Sequence, residues 1–216
     1  MSKPVIVIGG GGHARVVMET LLRNHVSIIG ICDPALAPSS TGPFGVPILG
    51  DDTALDSHGP SKIELVNGVG STQSTRSRRQ VFDTLGHRGY RFATVVHPSV
   101  IMADDVVLEE GAQVMAGAVV QTGVVIGRNA IVNTGARIDH DCRVGDHVHV
   151  APGATLSGGV CIGAGTHIGA AAVIIQSVTV GENCLIGAGT VVLRDLPNDT
   201  RIITPVNRTL VDRHTD

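Results

Sequence analysis

In VNTGARIDHDCRVGDHVHVAPGATLSGG, residues 132–159, an aliphatic side chain returns at every sixth position: Val132, Ile138, Val144, Val150, Leu156. Followed outward, the same phase runs from Met102 to Val192 through 16 consecutive positions without a slip. Two residues before each stands a compact one, such as Ala130, Ala136, Cys142, Val148 and Ala154. The residue after is often glycine, as at Gly127, Gly145, Gly163, Gly169, Gly181 and Gly187. Inward residues two apart describe a short strand with alternating faces. Glycine and small polar residues supply the crowded or left-handed backbone of a corner. Six residues then make one side, and three sides close a triangular coil of 18. Coils stacked about 4.8 Å apart pair through parallel ladders. An amphipathic helix is excluded, because a period of six does not hold a stripe of 3.6. The reading is a parallel β-helix of about five coils.

Composition agrees with a repetitive architecture. The 216 residues include 28 Gly, no Trp, one Tyr and three Phe, fewer rings than a conventional core of this size holds. A formal charge of −3 argues against broad nucleic-acid binding, which needs a basic surface. No apolar run approaches the roughly 18 residues of a membrane span. The start, MSKPVIVIGGGGHARVV, opens directly on a strand and a Gly-rich turn and lacks the pattern of a signal peptide, so a cytoplasmic setting is expected. Cys32, Cys142, Cys161 and Cys184 show no CxxC or framework spacing and read as reduced, small apolar residues.

Residues 4–97 follow another pattern. Strands are expected over 5–8, 27–32 and 63–66, helices over 13–23 and 71–86, and a Pro/Ser/Gly-rich loop over 38–50. Alternating strand and helix implies a small parallel α/β domain. The organisation expected is therefore α/β over 1–97, β-helix over 98–193 and an exit segment over 194–216. Gly9-x-Gly11-x-x-Ala14 fits a relaxed dinucleotide fingerprint, with Asp33 where a ribose-binding acid would stand. A glycine turn at a helix start presents N–H groups to phosphate. A dinucleotide-dependent dehydrogenase is thus a rival reading. The segment is about half of a two-lobed Rossmann domain, however, and a mononucleotide suits its size better. Asp33 reads equally well as a cap on the strand end.

The IGGGGHARVV start, the VVHPSV junction and the centre quoted above resemble the hexapeptide-repeat acyltransferases over nearly the whole chain, in the branch of sialic-acid O-acetyltransferase-like and bacillosamine N-acetyltransferase-like enzymes. The resemblance implies a left-handed β-helix, a homotrimer with acetyl-CoA between neighbouring subunits, and no metal. It also implies an N-terminal domain that holds an amino sugar linked to GDP or UDP, perosamine among them. Gly9, Gly10, Gly11, Gly12, His13, Asp33 and the turn at Gly68 would border that substrate. The exit segment departs from the family's Gly-x-Pro-Ala form, reading Ile203-Thr204-Pro205-Val206-Asn207.

The repeat puts His140 at a corner, two residues after the inward Ile138. The resemblance makes His140 the catalytic base and Asp141, where the family often has Glu, its orienting acid. A neutral imidazole accepts a proton at neutral pH, which suits an amine attacking a thioester. His149 and His167 are 18 apart and should stack on one face of successive coils. By resemblance His149 and Gly158 contact the thioester, and His167 joins the same cofactor region. His147 and His167 read otherwise as surface or interface residues. Separations of 7, 2 and 18 among His140, His147, His149 and His167 lack the close HxxxxH-type pair of zinc β-helix enzymes. Arg194, Arg201, Arg208 and Arg213 follow coils poor in basic residues and could meet the CoA phosphates. An O-acetyltransferase and a non-catalytic nucleotide-sugar-binding trimer remain the alternatives.

Overall fold

Four consecutive aliphatic residues buried on both faces suit the interior of a parallel sheet, and Val5–Ile8 forms such a strand, β1. It is followed by α1 (Gly12–Arg23), β2 (Ile28–Cys32), β3 (Ile48–Gly50), β4 (Glu64–Asn67) and α2 (Arg76–His87). The four strands are all parallel, in the order β3-β2-β1-β4. The computed structural model describes residues 3–203. The positions Thr204, Pro205, Val206, Asn207, Arg208 and Arg213, singled out above, lie outside them.

Two stretches differ from their expectation. The loop expected over 38–50 ends in β3, which completes the sheet edge. The helix expected from residue 71 starts only at Arg76. The side chains just before it are engaged elsewhere: Ser71 Oγ meets two histidines of the coils, and Thr75 Oγ1 donates to the Gly165 carbonyl at 2.8 Å. Tertiary contacts override local helix propensity here.

From Val95–Val96 onward the chain coils. Strands 18 residues apart pair in parallel, as in Val125↔Arg143 and Arg143↔Cys161. Three ladders of seven, six and five strands make the faces of a triangular prism. The first face runs from Val95–Val96 through His149–Val150 and His167–Ile168 to Arg201–Ile202. The second carries Arg137–Ile138 and Thr155–Leu156, and the third Arg143–Val144 and Cys161–Ile162. Inside, compact residues such as Ala136 and Ala154 alternate with Ile138, Val150 and Leu156 in one buried column. The ladders thus extend on both sides of residues 98–193. Among the described residues no helix is long and apolar enough to cross a membrane.

The corner glycines divide by cause. A Cβ at Gly163 would stand 2.5 Å from the Glu182 nitrogen and 2.5 Å from the Gly181 carbonyl carbon of the next coil. Gly127, Gly145, Gly169 and Gly181 meet backbone in the same way. These positions need glycine for closeness. Left-handed backbone falls elsewhere in the corners, at Gly159 (φ 69°), Gly165 (φ 71°) and, less usually, at Asp141 (φ 60°) and His147 (φ 60°).

A Gly163→Ala substitution therefore pushes two coils apart rather than filling a void. We expect a loss of about 1–3 kcal/mol, the usual cost of overpacking, read as a lower midpoint in denaturant. An unchanged midpoint would contradict the crowding argument.

Candidate active site

The β1–α1 turn builds one wall of an open cleft. Gly9 takes a φ of 92°, and Gly68 in the opposite turn is pressed against it: a Cβ there would lie 2.8 Å from the Gly9 carbonyl oxygen and from Ala14 Cβ. Gly11 and Gly12, by contrast, have nothing within 4 Å of an added Cβ, so their backbone faces open space at the start of α1. The cleft, of about 730 Å³, is lined by Gly9 to Gly12, His13, Asp33, Gly68 and Gly70, together with Asn133, His149 and Pro152 from the coils. Asp33 is engaged within its own unit: Oδ2 accepts the Gly10 N–H at 2.7 Å and Oδ1 the Ala35 N–H at 2.9 Å. It holds the glycine turn against the end of β2.

The α/β unit docks on the first face through a buried polar network. Arg78 of α2 is fully buried, and among the described residues no carboxylate pairs with it. Its guanidinium donates to the carbonyls of Asn67 (2.8 Å), Val69 (2.9 Å) and Asn129 (3.0 Å), leaving Nη2 without a partner. Burial lowers its pKa to about 9. Gln113 donates to the Asn67 carbonyl at 2.9 Å, so its amide oxygen faces His13 Nε2 at 2.8 Å and His13 must donate through that nitrogen. Burial, and then the Arg78 charge, push the His13 pKa down to about 4.

His149 and His167 lie one above the other on successive coils as expected, with ring centroids 5.0 Å apart and the rings edge to face. They are covered rather than exposed, each 5% accessible, because the turn at Ser71 lies over them. His147 is likewise buried, edge-on to Phe82 at 5.6 Å and bonded to Asn129 at 3.0 Å. Reading His147 and His167 as surface residues is corrected by this covering, which comes from the α/β unit and not from a second chain. Burial, and after it the charges of His167, His13 and Arg78, lower the His149 pKa to about 3. A second cleft of about 460 Å³ continues past His149 to His167, Leu185, Arg201 and Ile203.

His140 stands apart at the corner between the second and third faces, its side chain 56% exposed. Asp141 Oδ2 lies 2.8 Å from its Nδ1, and the Asp139 carboxylate accepts its backbone N–H at 2.8 Å. The hydrogen bond to Asp141, with the Asp139 charge next, raises the His140 pKa. In the neutral ring, with Nδ1–H held by Asp141, Nε2 keeps the lone pair. That nitrogen lies over Gly158, where a Cβ would stand 2.5 Å from it. Geometry thus brings His140, Asp141 and Gly158 together, and Gly9 to Gly12, His13, Gly68 and His149 together. It does not join the two sets within one chain: the second face separates them.

Residues 4–85 match the PglD N-terminal domain, and 105–140, 123–158 and 159–194 match the bacterial transferase hexapeptide of six repeats. Among solved structures, a histidine-to-asparagine variant of perosamine N-acetyltransferase from Caulobacter crescentus, in complex with CoA and GDP-perosamine, is 37% identical over 93% of each chain, with a TM-score of 0.86. PerB from the same organism, in complex with the same two ligands, is 38% identical over 93% of this chain and 94% of that one, with a TM-score of 0.84. The acetyltransferase domain of PglB from Neisseria gonorrhoeae, in complex with acetyl coenzyme A, is 33% identical over 94% and 97%, with a TM-score of 0.87. No curated protein sequence matches. This chain belongs to the hexapeptide-repeat sugar acetyltransferases.

The coils of this acetyltransferase are accordingly a left-handed parallel β-helix. Sequence reasoning singled out the glycines of the β1–α1 turn and the histidines of the coils. It missed Arg78, Gln113, Ser71 and Asn133, which join elements far apart in the chain and carry no local motif. In an Arg78→Met acetyltransferase the carbonyls of Val69 and Asn129 lose their guanidinium donor inside the interface. The expected loss is on the order of 3 kcal/mol, seen as a lower melting temperature in calorimetry. A variant as stable as the parent would remove Arg78 from the docking of the two units.

Proposed function

We propose that this protein transfers the acetyl group of acetyl-CoA to the amino group of a nucleotide-linked 4-amino sugar, the GDP- or UDP-linked sugars being the candidates. The observation that carries the reading is His140, held by Asp141 at 2.8 Å with its free nitrogen above Gly158, in a chain that also has a glycine-lined cleft at a helix start. Gly11 and Gly12 offer backbone N–H groups and the positive end of α1 to a diphosphate. Relatives with this architecture bind CoA together with GDP-perosamine.

In the proposed reaction the sugar amine attacks the thioester carbonyl carbon and gives its proton to His140 Nε2. Asp141 keeps the imidazole in the tautomer with Nδ1–H and favours the imidazolium that forms. Among the described residues the Gly158 N–H has no partner, and it is the donor for the developing oxyanion. Collapse breaks the carbon–sulfur bond, forms the amide, and returns the proton from His140 to the departing thiolate.

His140 of one chain is separated from the glycine-lined cleft of the same chain by the second face. We assign that face to an interface in a homotrimer, so that His140 of one copy serves the cleft of the next. Its outward residues Ile101 and Val191 are 69% and 55% exposed, an apolar surface consistent with contact.

Thiol release from acetyl-CoA, measured over a panel of GDP- and UDP-linked 4-amino sugars with their hydroxyl counterparts, tests the reaction. One amino sugar should support release and its hydroxyl twin should not; the reverse would make the protein an O-acetyltransferase. His140→Ala should lower kcat by about 10²–10⁴-fold, and an unchanged kcat would sink the base assignment. The pH profile gives a separate check. The base must be neutral, so kcat/KM should rise with pH through a pKa above the ordinary histidine value. Asp141→Asn removes the charged acceptor, lowers that pKa and moves the acid limb to lower pH. A limb that stays in place would dissociate Asp141 from His140.

A further inference from the structure

Ser71 lies on the turn between β4 and α2 and touches both stacked histidines, 2.6 Å from His149 Nδ1 and 3.2 Å from His167 Nδ1. The proton positions in this cluster follow from one fixed backbone group. The Thr134 N–H donates to Asn133 Oδ1 at 2.8 Å, which turns the amide nitrogen of Asn133 toward His149 Nε2 at 3.0 Å. An amide nitrogen only donates, so His149 Nε2 holds a lone pair. Burial keeps the ring neutral, and its single proton is therefore on Nδ1. That N–H donates to Ser71 Oγ. The serine hydroxyl keeps its own proton, and the acceptor within reach is His167 Nδ1. His167, also held neutral by burial, then carries its proton on Nε2, which has no partner among the described residues.

We infer that Ser71 is a positioning residue: it passes the proton order set at Asn133 from His149 to His167 and so makes His167 Nε2–H a hydrogen-bond donor in the second cleft. His149 meets a ligand with both ring nitrogens already engaged and offers an apolar edge. His167 offers a donor directed at an acceptor oxygen. The second cleft is open, continues from the glycine-lined one, and shares Ser71, Thr72, Asn133, His149 and Pro152 with it. The ligand chemistry that fits is a carbonyl oxygen on the pantetheine arm of an acyl-CoA. The identity of that ligand rests on the acetyltransferase reading above; the proton order does not. Serine is suited to the relay because one hydroxyl accepts and donates at once, whereas alanine interrupts it and threonine preserves it.

The test uses the full chain labelled with ¹⁵N-histidine, with long-range proton–nitrogen correlation spectra assigned through His149→Gln and His167→Gln. The parent should have His149 protonated at Nδ1 and His167 at Nε2. In Ser71→Ala, His149 should keep its tautomer while His167 becomes a mixture, and Ser71→Thr should restore the parent pattern. Calorimetry with acetyl-CoA should give a Kd about fivefold to tenfold weaker for Ser71→Ala, the size of one hydrogen bond, with Ser71→Thr near the parent. A parent protein with His167 protonated at Nδ1, or an alanine variant with unchanged His167 signals and unchanged Kd, overturns the relay. If the parent binds no acetyl-CoA, the acetyltransferase reading fails while the spectra still decide the proton order.

Discussion

Backbone stacked directly on backbone is the constraint on which the rest of this molecule depends. At the corners the next coil comes within 2.5–2.9 Å of where a Cβ would sit on Gly127, Gly145, Gly163, Gly169 and Gly181. A coil that close can neither slide nor tilt without breaking its ladders, so residues 18 apart are held in register until the last coil, where Leu185 pairs with Arg201, 16 residues on. Register is what brings the side chains of the proposed site together. His140 lies over Gly158, and His149 beside His167, because each pair is separated by one coil. A rigid frame of this kind holds side chains more closely than a set of loops would.

The second constraint is charge in a place without water. Arg78 is buried among carbonyls, and its positive charge reaches His13 and His149, whose pKa values burial has already depressed. A neutral imidazole is a fixed donor on one nitrogen and a fixed acceptor on the other. An imidazolium would donate from both. Keeping these rings neutral gives the cleft a definite hydrogen-bonding character, which the exposed His140 does not share. There the neighbouring carboxylates act in the opposite direction and raise the pKa. One chain thus holds two kinds of histidine, separated by burial and by the sign of the nearest charge.

This division also explains what could be read from the sequence. The six-residue period is a local rule repeated many times, so coil length, the inward column and the stacking of His149 on His167 are all legible from spacing. The corner position of His140 follows from the same count. Arg78, Gln113, Asn67 and Asn129 meet only when α2 and the turn after β4 settle on the first face. Nothing in RSRRQ distinguishes the buried Arg78 from Arg76 or Arg79. The late start of α2 has the same origin, since Ser71 and Thr75 are drawn to the coils and not into a helical turn. Asp33 had two local readings; the structure adds its two backbone partners, which stabilise the glycine turn whether or not a ribose is also bound.

Asp141 joins the frame to the proposed chemistry. It occupies one of the left-handed corner positions, at φ 60°, where most corners of this prism have glycine. A residue other than glycine in that conformation costs of order 1 kcal/mol, and aspartate tolerates it better than most. The left-handed turn sends its carboxylate back toward the preceding residue, which is how Oδ2 reaches Nδ1 of its immediate neighbour in sequence. Adjacent residues on a strand would point to opposite faces and could not pair this way. Gly158, one coil above His140, leaves room for the ring. The repeat thus supplies the closeness at one corner and the reversal of direction at the next residue, and His140 needs both to keep one nitrogen bound and the other free.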